Sequence, residues 1–315
     1  PDIIHKAIEN HVNFSCEASV GGGIPILMPL HQSLAANQIE SIVGILNGTT
    51  NYILSQMTET GVNYANALAD AQKQGFAEAD PTNDVCGFDA ARKLAILSSI
   101  GFRANVTFDD VLVEGIEKID KSDIQYAKDM GYTIKLLTVA LRQENGIALN
   151  VYPAFLPDNH PLSSVKGAYN AIYVTGNIVD DVMFYGRGAG ALPTASAVMG
   201  DVISTAQHIL NGSTGTGMIM TDTKRIPFYS SLKLQNSYYF RLDVDDVTGV
   251  LSQIAAAFAE NGISICEVVQ KRKTKGLAEL VLITELASRE SILQVEKALQ
   301  VLPCMRKVAN VIRVM

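Results

Sequence analysis

The segment from Tyr238 to Met315 alternates strand-like and helix-like hydrophobic patterns, and their order constrains the fold more than any other feature of the sequence. The patterns read, in chain order, strand YYFRLDVDD, helix GVLSQIAAAFAENG, strand ISICEVVQKR, strand LAELVLITEL, helix RESILQVEKALQVL and strand KVANVIRVM. A hydrophobic period of two predicts a strand, and a period near 3.6 predicts a helix. The order βαββαβ is typical of a ferredoxin-like unit, so we predict one over residues 236–315.

Residues 1–225 are predicted to form a separate and larger α/β (α+β) domain, with a mixed sheet covered by helices. We predict mainly helices from Ile39 to Ile100 and mainly strands from Thr107 to Tyr185. The predicted helices are IIHKAIEN near the N terminus, then NYILSQMTETG after a cap at Thr49 or Thr50, NYANALADAQKQG and GFDAARKLAILSSIG. The predicted strands are VNFSCEASV, YTIKLLTVALRQ, GIALNVYPAFL, AYNAIYVTGN and DVMFYG. The polar stretch 212–236 is the predicted domain boundary.

The composition argues against several classes of protein. With 48% hydrophobic and 18% charged residues, the chain of 315 residues can bury a large core and carries fewer charges than the roughly 25% typical of soluble domains. A net charge of -7 without a long basic run argues against a nucleic-acid or anionic-membrane surface. The sequence contains no CxxC pair, and no apolar run reaches the roughly 18 residues of a membrane helix. We therefore expect a cytoplasmic protein whose partners are small molecules or other proteins.

Residues 75–93, GFAEADPTNDVCGFDAARK, gather acidic and basic side chains in a chain that is otherwise poor in charge. A helix that begins near Asp84 or Gly87 places Asp89 and Lys93 at i and i+4 on one face. On spacing alone, such a pair is more often a surface ion pair that contributes little to stability. The apolar residues after Lys93 favour a different interpretation, in which a partly desolvated ammonium donates a proton to a carbonyl oxygen. The spacing leaves both interpretations open.

Two glycine-rich segments are candidate ligand loops. GRGAGA, from Gly186 to Ala191, matches GxGxx(G/A) between a strand and a helix, an arrangement that brings a backbone close to a pyrophosphate. The dinucleotide-binding unit is incomplete, because Asp201 lies within the following helix and no second strand follows it. GGGIPI, residues 21–26, is either a turn or a loop whose carbonyl groups converge on a cation. The histidines show no metal-ligand spacing.

Longer segments carry a more specific signal. They are EASVGGGIPI (17–26), GILNGTTNYIL (44–54), GFAEADPTNDVCGFDAARKLAIL (75–97), HPL (160–162) and YGRGAGALPTASAV (185–198). Together and in this order they resemble homoserine dehydrogenases, and the resemblance covers nearly all of residues 10–210. It implies an NAD(P)-dependent oxidoreductase that interconverts L-aspartate 4-semialdehyde and L-homoserine, on the route to threonine, methionine and isoleucine. Hydride would move between the nicotinamide and C4 of the substrate.

The resemblance also implies roles for single residues, position by position. Lys93 matches the proton donor to the forming hydroxyl, and Asp89 matches a catalytic substrate ligand beside it. Glu78 matches the ligand of the substrate amino group, and Asp84 matches a residue that orients this set. The other substrate-side positions are Gly48, Thr49 and Phe76, where the family often has tyrosine in place of Phe76. The positions near the cofactor are Gly75, Gly188 and Gly190.

A cation site and a further domain are implied as well. The backbone carbonyl groups that match the family's monovalent-cation site, usually assigned to sodium, belong to Glu17, Val20, Gly22 and Ile24. The family's N-terminal Rossmann domain is absent from this chain, so we expect the fragment alone to bind NAD(P) poorly and to be inactive. The parent protein is expected to be a homo-oligomer, either a dimer or a tetramer.

The C-terminal unit resembles an ACT domain, because it combines the βαββαβ order with the turn Asp246–Leu251 and with AENGISI at 259–265. ACT domains pair edge to edge and bind amino acids at the interface. This implies an effector pocket around Asp246 and Gly249 with Ile263 opposite, and feedback inhibition by threonine. The alternative function is a non-catalytic amino-acid sensor or assembly module, which would have no use for Lys93.

Overall fold

The structure, a computed structural model, describes residues 2–214, 226–274 and 276–315. Its helices are α1 (Asp2–Glu9), α2 (Gly48–Thr60), α3 (Tyr64–Lys73), α4 (Thr82–Val85), α5 (Phe88–Gly101), α6 (Lys121–Asp129), α7 (Ala191–Leu210), α8 (Val250–Glu260) and α9 (Arg289–Gln300). Its strands are β1 (Ile39–Ile45), β2 (Leu112–Val113), β3 (Tyr132–Gln143), β4 (Gly146–Pro157), β5 (Tyr169–Gly176), β6 (Asp180–Arg187), β7 (Gln235–Asp245), β8 (Ile265–Thr274), β9 (Leu277–Thr284), β10 (Ala287–Ser288) and β11 (Met305–Val314).

One sheet runs through both parts of the chain. The strand order is β6-β5-β1-β3-β4-β11-β7-β9-β8, with β2 beside β4 and β10 beside β7. Neighbouring strands in this order are antiparallel except at the join, where β4 and β11 pair in parallel through Arg313 opposite Ala154 and Val314 opposite Phe155. The short strand β2 is also parallel to β4. The predicted mixed α/β architecture is therefore confirmed, and the two predicted domains are joined by backbone hydrogen bonds.

The C-terminal part has the predicted βαββαβ order. Strands β7, β8, β9 and β11 form its antiparallel sheet, and α8 and α9 contribute apolar residues to the cluster on one face. In that core the rings of Phe240 and Phe258 meet edge to face at 5.0 Å between centroids. Each helix buries its apolar stripe, as the period of 3.6 predicts.

Helices α2 and α5 cover one face of the larger sheet, and their buried residues belong to its main hydrophobic cluster. A second cluster, on β1, β3 and β4, forms around Leu137, Leu156 and Leu162. Strand β4 is buried along nearly its whole length because both of its faces are covered, which explains its continuous apolar sequence. The four helices predicted up to Gly101 are confirmed as α1, α2, α3 and α5.

The prediction of a strand at VNFSCEASV is wrong. Residues 12–16 have no regular structure, and Glu17–Ser19 form a 3₁₀ turn. The buried carboxylate of Glu17 accepts hydrogen bonds from the backbone N–H groups of Ile26 at 2.5 Å, Leu27 at 2.8 Å and Met28 at 2.8 Å. These hydrogen bonds hold residues 12–19 against the loop at 26–28. In that position residues 12–16 pair with no strand of the described structure.

The prediction of helical structure from Ile39 onward is also wrong at its start. Ile39–Ile45 form strand β1, which lies between β3 and β5. A short apolar run such as IESIVGI shows no clear period, so only its two flanking strands determine its conformation. The predicted boundary at 212–236 overlaps residues 215–225, which lie outside the described residues, and remains a prediction.

Buried charges fasten the C-terminal part to the larger domain. Arg241 of β7 donates hydrogen bonds to the fully buried carboxylate of Asp123 on α6, at 2.7 Å and 3.2 Å. Asn310 of β11 donates to the same carboxylate at 2.7 Å. Although burial alone would lower the pKa of Arg241, its hydrogen bond and ion pair with Asp123 raise the pKa above its ordinary value. Within the described ranges, no helix is both long and apolar enough to span a membrane.

Candidate active site

Helix α5 places a lysine and an aspartate together at its N-terminal end. The Lys93 ammonium lies 2.7 Å from the Asp89 carboxylate and donates a second hydrogen bond to the backbone carbonyl of Leu46 at 3.1 Å. The two side chains are 21% and 32% exposed, so the pair is partly desolvated yet reachable by a small molecule. The two residues, four positions apart, thus form an ion pair on one face of the helix. This ion pair faces the loop before α2.

Asn47 connects this pair to a second carboxylate. Its side-chain amide nitrogen donates to Asp84 at 2.7 Å and to Asp89 at 2.9 Å, while its amide oxygen accepts from the backbone N–H of Thr50 at 2.8 Å. Asn47 therefore caps α2 and holds two carboxylates together. The predicted cap at Thr49 or Thr50 is wrong, because the helix already begins at Gly48. The asparagine two positions before Thr49 was the overlooked cap signal.

The loop after α3 approaches the same helix end. The Thr49 hydroxyl donates to the backbone carbonyl of Phe76 at 2.6 Å, and the Phe76 ring lies 4.5 Å from the ring of Tyr52. Phe76 is nonetheless 42% exposed, so an aromatic surface borders the site. Glu78 follows in the same loop with an exposed side chain, and its backbone carbonyl accepts from the Gln72 side chain at 3.1 Å. Of the predicted residues, Thr49 and Phe76 are thus joined by a contact, whereas Glu78 has no hydrogen bond to the Asp84, Asp89 and Lys93 cluster among the described residues.

Two glycine loops that are far apart in sequence meet on the neighbouring side. A Cβ at Gly22, whose φ is +56°, would overlap the backbone carbonyl of Gly188. The N–H of Gly23 donates to the carbonyl of Arg187 at 3.0 Å. A Cβ at Gly188 would in turn overlap the side-chain amide of Asn170. Glycine is required at both positions because the two backbones approach each other directly.

The predicted cation loop is buried. Val20 and Ile24 are 0% and 2% exposed, and Gly22 is buried between them. Among the described residues, the carbonyl oxygens of Val20, Gly22 and Ile24 accept no hydrogen bond outside regular helices and strands. The Glu17 N–H donates to the Asp201 carboxylate of α7 at 3.0 Å, which ties the loop to the helix that follows GRGAGA. Gly190 is the N-cap residue of α7, as the glycine-rich motif predicts, with φ +119°.

A buried lysine lies behind α2, and sequence reasoning did not single it out. Lys135 on β3 is 1% exposed, and its ammonium donates to the Asn51 side chain at 3.0 Å and to the Val165 carbonyl. Asn51 also donates to the carbonyls of Val165 and Tyr169. Burial, and to a lesser degree the charge of Lys166, lowers the pKa of Lys135 to about 8. The available signal was the single lysine within the apolar strand YTIKLLTVA.

The predicted effector residues do not come together within one chain. Asp246 follows β7, and its backbone N–H donates to the backbone carbonyl of Gly276 at 2.8 Å. Gly276 immediately precedes β9. Ile263 is buried just before β8, which pairs with the other end of β9. Strands β7 and β8 both run antiparallel to β9, so Asp246 and Gly249 lie at one end of this sheet and Ile263 at the other.

Comparison with known proteins gives consistent matches for both parts of the chain. Residues 25–203 match the family model for homoserine dehydrogenase, and residues 238–304 match the one for the ACT domain. The homoserine dehydrogenase of Corynebacterium glutamicum is 42% identical over 308 residues, which cover 96% of this chain and 68% of that protein. The Bacillus subtilis homoserine dehydrogenase is 40% identical over 316 residues, which cover 99% of this chain and 72% of that protein.

Solved structures give the same result. A homoserine dehydrogenase from Thiobacillus denitrificans has a TM-score of 0.94 at 36% identity, with 100% of this chain and 73% of that chain covered. A hyperthermophilic archaeal homoserine dehydrogenase mutant in complex with NADPH has a TM-score of 0.57 at 27% identity, with 65% and 59% covered.

Proposed function

Because the chain belongs to the homoserine dehydrogenase family, we propose that it forms the substrate site and the regulatory domain of an enzyme that interconverts L-aspartate 4-semialdehyde and L-homoserine with NAD(P). The observation that supports this best is the arrangement of the Lys93 ammonium and the Asp84 and Asp89 carboxylates around one asparagine side chain. A substrate with an ammonium, a carboxylate and a reacting carbonyl requires such a mixture of charges at short range.

Lys93 is proposed as the group that gives a proton to the substrate oxygen in the reductive direction and takes it back in the oxidative direction. An ammonium has three N–H donors, and two of those on Lys93 are used by Asp89 and by the Leu46 carbonyl. The third remains for the substrate oxygen. Because both protein contacts are fixed, the proton is held in one direction before the substrate arrives, which is the requirement for efficient general acid catalysis.

The carboxylates are proposed to bind the polar end of the substrate. Asp84 and Asp89 are held by one Asn47 amide group, which leaves further acceptor positions on each carboxylate. The exposed Glu78 carboxylate is proposed to bind the substrate amino group from the loop beside Phe76. The remaining proposed substrate contacts, at the start of α2, come from Gly48 and Thr49.

Cofactor contacts are proposed for the glycines that flank this site. Gly188 and Gly190 precede α7, whose N-cap residue gives no side-chain cap to the first-turn N–H groups, so these groups suit a pyrophosphate. Gly75 lies on the loop that leads to Glu78, with φ +77° and open space where a Cβ would stand. NAD(P) when bound supplies or accepts the hydride.

A sodium ion is proposed for the loop at Glu17, Val20, Gly22 and Ile24. The loop residues are buried, and three of their carbonyl oxygens lack a hydrogen-bond donor among the described residues. A buried carbonyl group without a partner is unfavourable, and a cation held by several carbonyl oxygens removes this cost. Because Gly22 contacts Gly188, such an ion would stabilise the junction between the substrate side and the cofactor side.

Regulation is proposed to occur through the ACT domain, with threonine as the effector. Asp246 and Gly249 lie at one end of the sheet and Ile263 at the other, so a pocket that contains all three requires a second copy of this domain. This agrees with the proposed homo-oligomer, a dimer or a tetramer. We also propose a cytoplasmic location, since the cysteines are free thiols and the family's proposed reaction belongs to amino-acid biosynthesis.

The test is the homoserine-dependent reduction of NAD or NADP by the full-length gene product, followed through the absorbance of reduced nicotinamide with and without threonine. Lys93→Met should lower kcat by about 10²–10⁴-fold, the usual contribution of general acid–base catalysis. Lys73→Met, an exposed lysine at the end of α3, is the control and should retain full activity. Reduction that persists within about tenfold in Lys93→Met would overturn the assignment of Lys93. No reduction in the wild type would favour the amino-acid sensor instead.

A further inference from the structure

Arg313, near the C terminus, is buried against the larger domain. It lies on β11 at the short parallel join with β4 and is 4% exposed. Its guanidinium donates to both oxygens of the Glu114 carboxylate, at 2.9 Å and 3.0 Å, and stacks over the Tyr152 ring at 4.1 Å. This is a bidentate ion pair between the ACT domain and the segment that follows β2.

The Glu114 carboxylate of this ion pair is charged at neutral pH. Burial alone would raise the pKa of Glu114, but the hydrogen bonds and charge of Arg313 lower the pKa below its ordinary value. The N–H of Glu114 also donates to the Val151 carbonyl on β4 at 2.7 Å. Glu114 is thus fixed at its backbone by the sheet and at its side chain by the ACT domain.

The residues after Glu114 are packed directly on helix α4. Ile116 is fully buried, and its N–H donates to the Val85 carbonyl at 2.8 Å. A Cβ at Gly115 would overlap that same Val85 carbonyl and lie 2.6 Å from the Cα of Cys86. The turn at 114–116 therefore has no room to move toward α4 without displacing the helix.

Helix α4 carries Asp84, immediately before Val85. The Asp84 carboxylate accepts a hydrogen bond from the Asn47 side-chain amide at 2.7 Å. The same amide group donates to the carboxylate of Asp89, the ion-pair partner of Lys93. A continuous series of short contacts thus runs from the ACT strand β11 to the carboxylates of the candidate active site.

We propose that Arg313 is a positioning residue for the Asp84 carboxylate, acting through Glu114 and the turn at 114–116. The proposal rests on the proposed function, since it assigns Asp84 to the substrate site. A helix of four residues such as α4 is too short to be stable by itself and depends on its neighbours for its position. The C-terminal domain then contributes to substrate binding although none of its residues touches the substrate.

The experiment compares Arg313→Met with Arg306→Met in the full-length protein. Arg306 lies on the same strand and makes a similar bidentate ion pair with Asp245, at 2.7 Å and 2.9 Å, but within the ACT domain. Arg313→Met should raise KM for homoserine by about tenfold to a hundredfold, because a displacement of about 1 Å in a binding group has effects of this size. KM for NAD(P) should not change, and Arg306→Met should match the wild type.

Two further variants separate positioning from a general loss of folding. Glu114→Gln preserves the shape of the partly exposed side chain but removes its charge, and it should reproduce the KM effect with a smaller loss of stability. In an Asp84→Asn background, Arg313→Met should raise KM for homoserine by less than about a further twofold, since the effects of residues that act through one group are not additive. Additive effects in this cycle would overturn the proposal.

Hydrogen exchange gives a second readout that does not depend on activity. Arg313→Met should increase amide exchange in the peptide that contains 112–118 and also in the peptide that contains 82–88, whereas Arg306→Met should change neither. Exchange that increases only at 112–118, with KM for homoserine unchanged, would show a purely structural contact and overturn the proposal. If the wild type lacks homoserine-dependent activity, the proposed function fails, and the exchange experiment still decides whether Arg313 positions α4.

Discussion

The buried ammonium of Lys135 should make the stability of the protein rise with pH in a range where most proteins lose stability. Lys135 is 1% exposed, and its hydrogen-bond partners, the Asn51 side chain and the Val165 carbonyl, are uncharged. Burial lowers its pKa from 10.5 to about 8, so the folded state holds the ammonium less favourably than water does. The difference corresponds to about 3 kcal/mol at 1.4 kcal/mol per tenfold change in proton affinity.

The sign follows from proton linkage. Below about pH 8 both states carry the ammonium, and the folded state bears the full cost of its burial. Between about pH 8 and about pH 10.5 the unfolded state binds more protons, so the free energy of unfolding rises with pH. Above this range the lysine is neutral in both states and the cost is gone. Replacement by methionine, which has no titratable group, removes this pH dependence while filling a similar volume.

The assay is urea unfolding of wild type and Lys135→Met from about pH 7 to about pH 10.5, followed by circular dichroism because the chain contains no tryptophan. The free energy of unfolding of the wild type should rise by up to about 3 kcal/mol relative to Lys135→Met across this range. Lys73→Met is the control, since that lysine is exposed at the end of α3 and is not among the charges that act on Lys135, so this variant should follow the wild type. Parallel pH profiles for wild type and Lys135→Met would refute the reasoning.

Two other predictions concern single substitutions with matched controls. Gly22→Ala should lower both the activity and the dependence of the activity on sodium. It should also destabilise the protein by more than about 1 kcal/mol, because the residue has a φ of +56° and its Cβ would overlap the Gly188 carbonyl. Gly167→Ala has a similar φ of +59° but open space around it, so equal effects of the two would contradict the role of the close approach. Asp123→Asn should destabilise the protein by about 3 kcal/mol in urea unfolding, because Arg241 loses the charge of its nearest buried partner. Asp245→Asn, which removes the partner of a 60% exposed arginine, should cost less than about 1 kcal/mol, and a comparable loss would argue against burial as the cause.

Local patterns predicted those parts of the structure that depend on neighbours along the chain. The βαββαβ order of the C-terminal part and the helices α2, α3 and α5 agree with their hydrophobic periods and glycine ends. The pairing of Asp89 with Lys93 follows from helix geometry alone, once α5 forms. The family resemblance then added chemical roles for these residues, which the spacing had left open.

Contacts between distant segments were decided only by the tertiary structure. Ile39–Ile45 became a strand because β3 and β5 flank it, and 12–16 did not because Glu17 binds the amide groups of the next loop. The role of Asn47 depends on three segments meeting at one side chain, and the need for glycine at Gly22 depends on a loop far along the chain. Hydrophobic period records which face of an element is buried but not which element covers it. For this reason the sequence determined the order of the elements and the Asp89–Lys93 pair, whereas only the packing decided which contacts connect β11 to the candidate active site.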